Sequence, residues 1–135
     1  MIESAEEFVR LRESEDASDY NRAAQDEALT EVWYTLIRDY PEMRSWVAHN
    51  KTVPLEVLEL LATDESTDVR STVAMKRKLS QELFDALARD PDESVRHHVA
   101  TNAKAPISTL EKLTRDTAEF VATAAEEKLN ERKST

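Results

Sequence analysis

At 135 residues the chain has length for one domain with a modest core, and its 28 acids against 18 lysines and arginines give a formal charge of −10. It holds no cysteine, which excludes disulfides, thiolate metal sites and a cysteine nucleophile. It also holds no glycine where average usage would give about nine, which excludes phosphate loops and dinucleotide fingerprints built on close backbone approach.

No run approaches the ~18 apolar residues of a membrane span, and the start, Met1-Ile2-Glu3-Ser4-Ala5-Glu6-Glu7, is acidic where a secretory signal is basic and then apolar. A cytoplasmic protein without a membrane segment is expected. Ser4 with Glu7 predicts a capping box opening a helix that carries Phe8, Val9 and Leu11. A polar stretch, Glu13 to Asp19, precedes a second helical segment with Tyr20, Ala23 and Ala24. Residues 1–28 are expected to form a terminal cap, packed on extra apolar groups at Leu55, Val57 and Leu60. A half unit over 29–46, beginning at a Thr30 cap, aligns Trp33, Leu36, Asp39, Met43 and Arg44 with Leu58, Leu61, Asp64, Val69 and Arg70 once one residue is removed from the turn.

From Val47 a 26-residue interval governs the chain. Val47-Ala48 returns at Val73-Ala74 and Val99-Ala100; Leu58, Phe84 and Leu110 follow, then Leu61, Leu87 and Leu113, Asp64, Asp90 and Asp116, and Val69, Val95 and Val121. A repeat of this length is a supersecondary unit that buries its apolar face against its neighbours. Full units are placed at 47–72, 73–98 and 99–124, a terminal helix with Phe120, Val121, Ala124, Ala125 and Leu129 runs to 129, and 130–135 is expected to fray. Each unit reads as two short helices. One is opened by a cap at the aspartate, best seen in Asp90-Pro91-Asp92-Glu93, and the other by Pro54, Ser80 or Pro106. Without glycine, Asn50 and Asn102 are the candidates for left-handed helix ends.

Val-Ala-x-Asn, then Pro-x-x-x-Leu-x-x-Leu-Ala-x-Asp, then Val-Arg, as they stand between Val47 and Arg70, resemble the leucine-rich repeat variant class of HEAT-like helical repeats. The resemblance covers residues 29–129 and extends, through Trp46 to Pro54 behind an acidic leader, to small bacterial HEAT-repeat proteins. It implies an all-α, right-handed α-solenoid, here of about 3.5 two-helix repeats with a helical N-terminal cap, and relatives that mainly bind other macromolecules. The founding type holds an iron–sulfur cluster on cysteines; this chain has none, so no cofactor is carried over.

The Asp and Arg series (Asp39 with Arg44, Asp64 with Arg70, Asp90 with Arg96, and Asp116 with Ala122 at the Arg place) reads as caps plus salt bridges between neighbouring units, or as a polar ladder along a groove. Lys76-Arg77-Lys78 is the densest basic cluster, and a helix C-terminus is sufficient reason for it. Residues 1–45 carry twelve acids against five bases, a net −7, which disfavours nucleic acid. A nucleic-acid binder using that cluster with His97 and Lys104 is the rival reading, and a structural homo-oligomer another. No histidine lies three or four residues from another, so His49, His97 and His98 form no chelating pair on a helix, and neither a metal site nor a catalytic constellation is expected. The variable columns are Ser45, Ser71, His97; Trp46, Thr72, His98; His49, Met75, Thr101; and Asn50, Lys76, Asn102. They mark either a recognition face or surface drift. Trp46, with Thr72, His98 and Ala124 as counterparts, suits a partner anchor or packing under the cap. The expectation is a non-enzymatic protein-binding module, monomeric or weakly self-associating. Its unidentified protein partner, basic to match the field, would contact Trp46, His49, Asn50, Met75, Lys76, Arg77, Lys78, His97 and His98.

Overall fold

A computed structural model gives the fold and describes residues 1–134. Among the described residues there are ten α-helices and one 3-10 helix, and extended backbone pairs only as a parallel bridge between Ile2 and Ala28. The protein is all-α. No described helix is long and apolar enough to cross a membrane. The chain divides into two packing units, Met1–Leu61 and Ala62–Thr135.

The first unit contains α1 (Ala5–Glu13), α2 (Ala17–Gln25), α3 (Thr30–Asp39), a 3-10 turn (Pro41–Met43), α4 (Arg44–His49) and α5 (Leu55–Leu61). Ser4 caps α1, its Oγ accepting the Glu7 N–H at 3.1 Å; the returning Glu7 carboxylate takes the N–H of Glu3 instead of Ser4, at 3.5 Å. Of the polar stretch only 14–16 lie outside helices, because Asp16 accepts from the Ser18 N–H at 2.9 Å and starts α2 early. Thr30 is not a cap but the first helical residue of α3, preceded by Leu29 without a side-chain cap bond.

The expected target of the N-terminal helices is also corrected. They pack on α3 and α4, with the Phe8 ring edge-on to Trp33 at 5.6 Å and both fully buried. The α3 face of Val32, Trp33, Leu36 and Ile37 is the larger apolar surface, and burying each such side chain contributes roughly 1.5–3 kcal/mol. Val57 is buried, whereas Leu60 is 45% exposed.

The second unit contains α6 (Thr67–Ala74), α7 (Gln81–Leu87), α8 (Glu93–Thr101), α9 (Ile107–Leu113) and α10 (Glu119–Lys133). Helices of seven to nine residues are below the ~12–15 needed for independent stability, so each depends on its neighbours. Within this unit α6, α8 and α10 pack in succession as one row, and α7 packs on α9 as another. Every predicted core column is buried here: Val73 and Val99, Phe84 and Leu110, Leu87 and Leu113, and Val69, Val95 and Val121. One column turns polar. Thr109 stands where Val57 and Leu83 stand in the other copies, and is buried because its hydroxyl donates to Asp85 at 2.7 Å and accepts from Gln81 at 2.9 Å.

The repeated aspartates are not the caps. The caps are Ser66, Asp92 and Ala118, and Asp64, Asp90 and Asp116 lie two residues earlier, each accepting the N–H of its cap residue at 2.9 Å. Asp90 and Asp116 are thereby turned to face the arginine of the preceding copy. Arg70 reaches Asp90 with Nε at 2.8 Å and Nη2 at 3.2 Å, and Arg96 reaches Asp116 at the same two distances. The bridges between neighbouring copies are present in this unit, and they are nearly buried.

The asparagines are corrected as well. No described residue has positive φ. Asn50 and Asn102 leave their helices in extended conformation, at φ −60°, ψ 133° and φ −72°, ψ 122°. Both are buried, and each amide brackets the preceding segment. Asn50 Nδ2 donates to the carbonyls of Ala23 and Asp26 at 2.8 and 3.0 Å, and Asn102 Nδ2 donates to those of Ala74 and Lys76 at 2.9 and 2.7 Å. The tail differs too: α10 runs to Lys133 rather than fraying from 130, because the Arg132 guanidinium donates to the carbonyls of Asn102, Ala103 and Ala105. Thr135, the last residue of the expected frayed tail, lies outside the described residues.

Candidate functional site

The first unit places Trp46 and His49 side by side at the end of α4, with ring centroids 5.6 Å apart. The Arg12 guanidinium, brought by α1, lies 3.5 Å from the Trp46 ring centroid and 5.8 Å from that of Tyr20. Trp46 is thus covered on one face by the N-terminal helices yet remains 40% exposed. Ala23 and Ala24 of α2 complete a pocket of about 160 Å³ with Arg12, Trp46 and His49. Asn50 drops out of the predicted contact set, since its side chain is buried and its amide serves the bracket to α2. Elsewhere in this unit Tyr40 stands among Glu6, Glu13 and Asp19, and the negative charge of Glu6 holds its phenol above the ordinary range.

In the second unit Met75 is half exposed just past α6, and Arg77 and Lys78 are exposed in the turn before α7. Lys76 is partly buried and gives its carbonyl to Asn102. The cluster therefore follows a helix C-terminus, where positive charge complements the macrodipole. Both histidines of α8 are partly buried, with rings 6.2 Å apart. Burial, and secondarily the neighbouring His97, push His98 below the usual imidazole range.

His97 belongs to a larger feature. Its ring lies 5.1 Å from that of Phe120, the second residue of α10, and the two line a groove of about 710 Å³ with Glu93, Ala118, Glu119, Thr123, Ala124 and Glu127. Phe120, expected as one of the apolar residues of the last helix, is 46% exposed, while its neighbour Val121 is fully buried. Adjacent helical residues point ~100° apart, and here it is Val121 that takes the core side. The lining contains three carboxylates and no lysine or arginine.

Sequence reasoning missed Phe120, Glu93, Glu119, Glu127 and Arg12. Phe120 had a signal, since its counterparts at the repeat interval are Ser94 and Asp68. Arg12 lies outside the repeats and had none. Among the described residues no group of three or more metal-ligating side chains is placed to hold an ion. No protein-family model matches the chain, and comparisons with curated proteins and with solved structures return no significant match.

Proposed function

We propose that this protein is a non-enzymatic protein-binding module whose partner presents a basic segment to the groove between α8 and α10. The observation that carries this reading is the exposed Phe120 ring, paired with His97 and framed by Glu93, Glu119 and Glu127. An apolar anchor ringed by carboxylates suits a lysine or arginine side chain that lays its aliphatic stem on the aromatic face and its cationic head against the acids. The charge of −10 extends that complementarity to long range and favours encounter with a basic protein. The 26-residue periodicity and the arginine–aspartate bridges between copies support a HEAT-like, right-handed α-solenoid as the scaffold. Such a scaffold binds without the cost of folding on contact.

The test is titration of the isotope-labelled chain with a lysine- and arginine-bearing amphipathic peptide, followed by backbone and side-chain shifts. The expected result is saturable change confined to α8 and α10, weakened about tenfold or more by Phe120→Ala and steadily by added salt. Shifts centred on Lys76, Arg77 and Lys78 with an oligonucleotide, and none with the peptide, would replace this reading with the nucleic-acid one.

A further inference from the structure

We propose that the pocket beside Trp46 receives a planar carboxylate, and that Arg12 grips it. The pocket shares no residue with the α8–α10 groove, and the inference does not depend on that groove's function.

Three observations converge. The first is how Arg12 is held. Its guanidinium is 3.5 Å from the Trp46 ring centroid, with Tyr20 as a second aromatic neighbour at 5.8 Å. A guanidinium lying over an aromatic ring keeps its in-plane N–H donors, and those on Nη1 and Nη2 are the ones left to an incoming acceptor, since Nε is buried. The second is that these donors have no acceptor. Arg12 Nε is buried without a hydrogen-bond partner, and no ion pair involves Arg12 among the described residues, although the chain has 28 acids. Arg22, Arg70 and Arg96 each engage a carboxylate. Folding that leaves a buried guanidinium donor unpaired sacrifices stability. The third is space next to the donors. Ala23 and Ala24, with their minimal side chains, help to form a cavity of about 160 Å³ against Arg12, Trp46 and His49. That is room for about five waters' worth of liquid, or a carboxylate with a few attached carbons.

The surroundings narrow the anion. Residues 1–45 carry a net −7, which opposes polyanions and phosphate dianions at long range. A monoanion meets the least repulsion, and the planar two-oxygen edge of a carboxylate matches the guanidinium fork. Trp46 offers a flat wall beside it for an aromatic or aliphatic substituent.

The experiment uses the full chain labelled with ¹⁵N, observing the Trp46 indole N–H and the Arg12 Nε–H. It is titrated with benzoate, with an N-acetylated dipeptide bearing a free C-terminal carboxylate, with the same dipeptide amidated, and with inorganic phosphate. Saturable shifts of both resonances with benzoate are expected, and saturation by the free but not the amidated dipeptide would assign the carboxylate to a chain end as well as to a small acid. Arg12→Lys keeps the charge and loses the fork, and should bind about ten- to hundredfold more weakly. Arg12→Gln should not bind, and Arg12→Lys serves alone if that variant fails to fold. The proposal is overturned if neither carboxylate ligand saturates these signals, if Arg12→Lys binds as the parent does, or if phosphate binds there as tightly as benzoate.

Discussion

Replacing Arg96 by methionine removes one bridge between neighbouring copies while keeping an unbranched apolar stem. Arg96 and Asp116 are 15% and 8% exposed, joined by bonds of 2.8 and 3.2 Å, and Arg96 also donates to the Asp90 carbonyl at 2.8 Å. The substitution strands the Asp116 carboxylate with the Ala118 N–H and leaves the Asp90 carbonyl without this donor. Breaking a fully buried pair costs about 3–5 kcal/mol; with water reaching the edge of this one, we expect about 2–4 kcal/mol. At roughly 3 °C per kcal/mol for a chain of this size, the melting temperature should fall by about 6–12 °C. The pH dependence follows from Asp116. Burial pushes its pKa upward, but the Arg96 hydrogen bond, the Ala118 N–H and the Arg96 charge together hold it below the usual aspartate value. A depressed folded pKa means stability present above the unfolded value near ~3.9 and lost as pH falls through the folded one. Thermal and urea unfolding followed by circular dichroism should therefore show a wide gap between parent and variant at pH 7 that narrows below about pH 4. Adding Asp116→Asn should recover part of the loss. A gap under about 0.5 kcal/mol at pH 7, or one unchanged at pH 3, would refute this account of the bridge.

Asn102→Ala should cost about 2–3 kcal/mol in urea unfolding through the lost bonds to Ala74, Lys76 and Lys104, and Asn102→Asp should cost more, since a carboxylate facing two carbonyls has no proton to offer. Ser80→Ala removes the bond that caps α7 and should cost about 1 kcal/mol by the same measurement. Phe120→Ala should change the unfolding free energy by less than about 1 kcal/mol, since the ring is already half in water, while abolishing peptide retention on an affinity column.

The core of the repeats was legible because burial repeats with the fold: a residue such as Val73 or Val99 meets the same surroundings in each copy and is held apolar. The aspartates were half legible. Asp90-Pro91-Asp92 offers two good capping residues, and spacing alone does not say which one the helix takes. The choice is made by Arg70, twenty residues upstream, which claims Asp90 and leaves the capping bond to Asp92. Asn50 and Asn102 were misread because glycine's absence suggested a substitute for left-handed turns, whereas the chain avoids such turns by leaving each helix extended. Of the nine predicted contacts, Trp46, His49 and His97 line cavities, and what completes those cavities came from unlike places. Phe120 was hidden by an apolar neighbour that did face the core, and Arg12 lies on a helix with no counterpart by which to judge it.

The way Asp90 and Asp116 are used bears on how such a chain can lengthen. The copy at 73–98 receives Arg70 from the one before through Asp90 and extends Arg96 to Asp116 of the one after, so donor and acceptor are offset by twenty residues. A further 26-residue stretch spliced in at Val99 would arrive with both halves of the coupling, and no existing arginine would lose its acid. Duplication is then electrostatically silent at the joints, whereas an insertion of any other length would strand one charge on each side. The copy at 99–124 receives Arg96 through Asp116 but has Ala122 at the arginine place, so it extends none of its own; placing arginine there would be the first step in adding another.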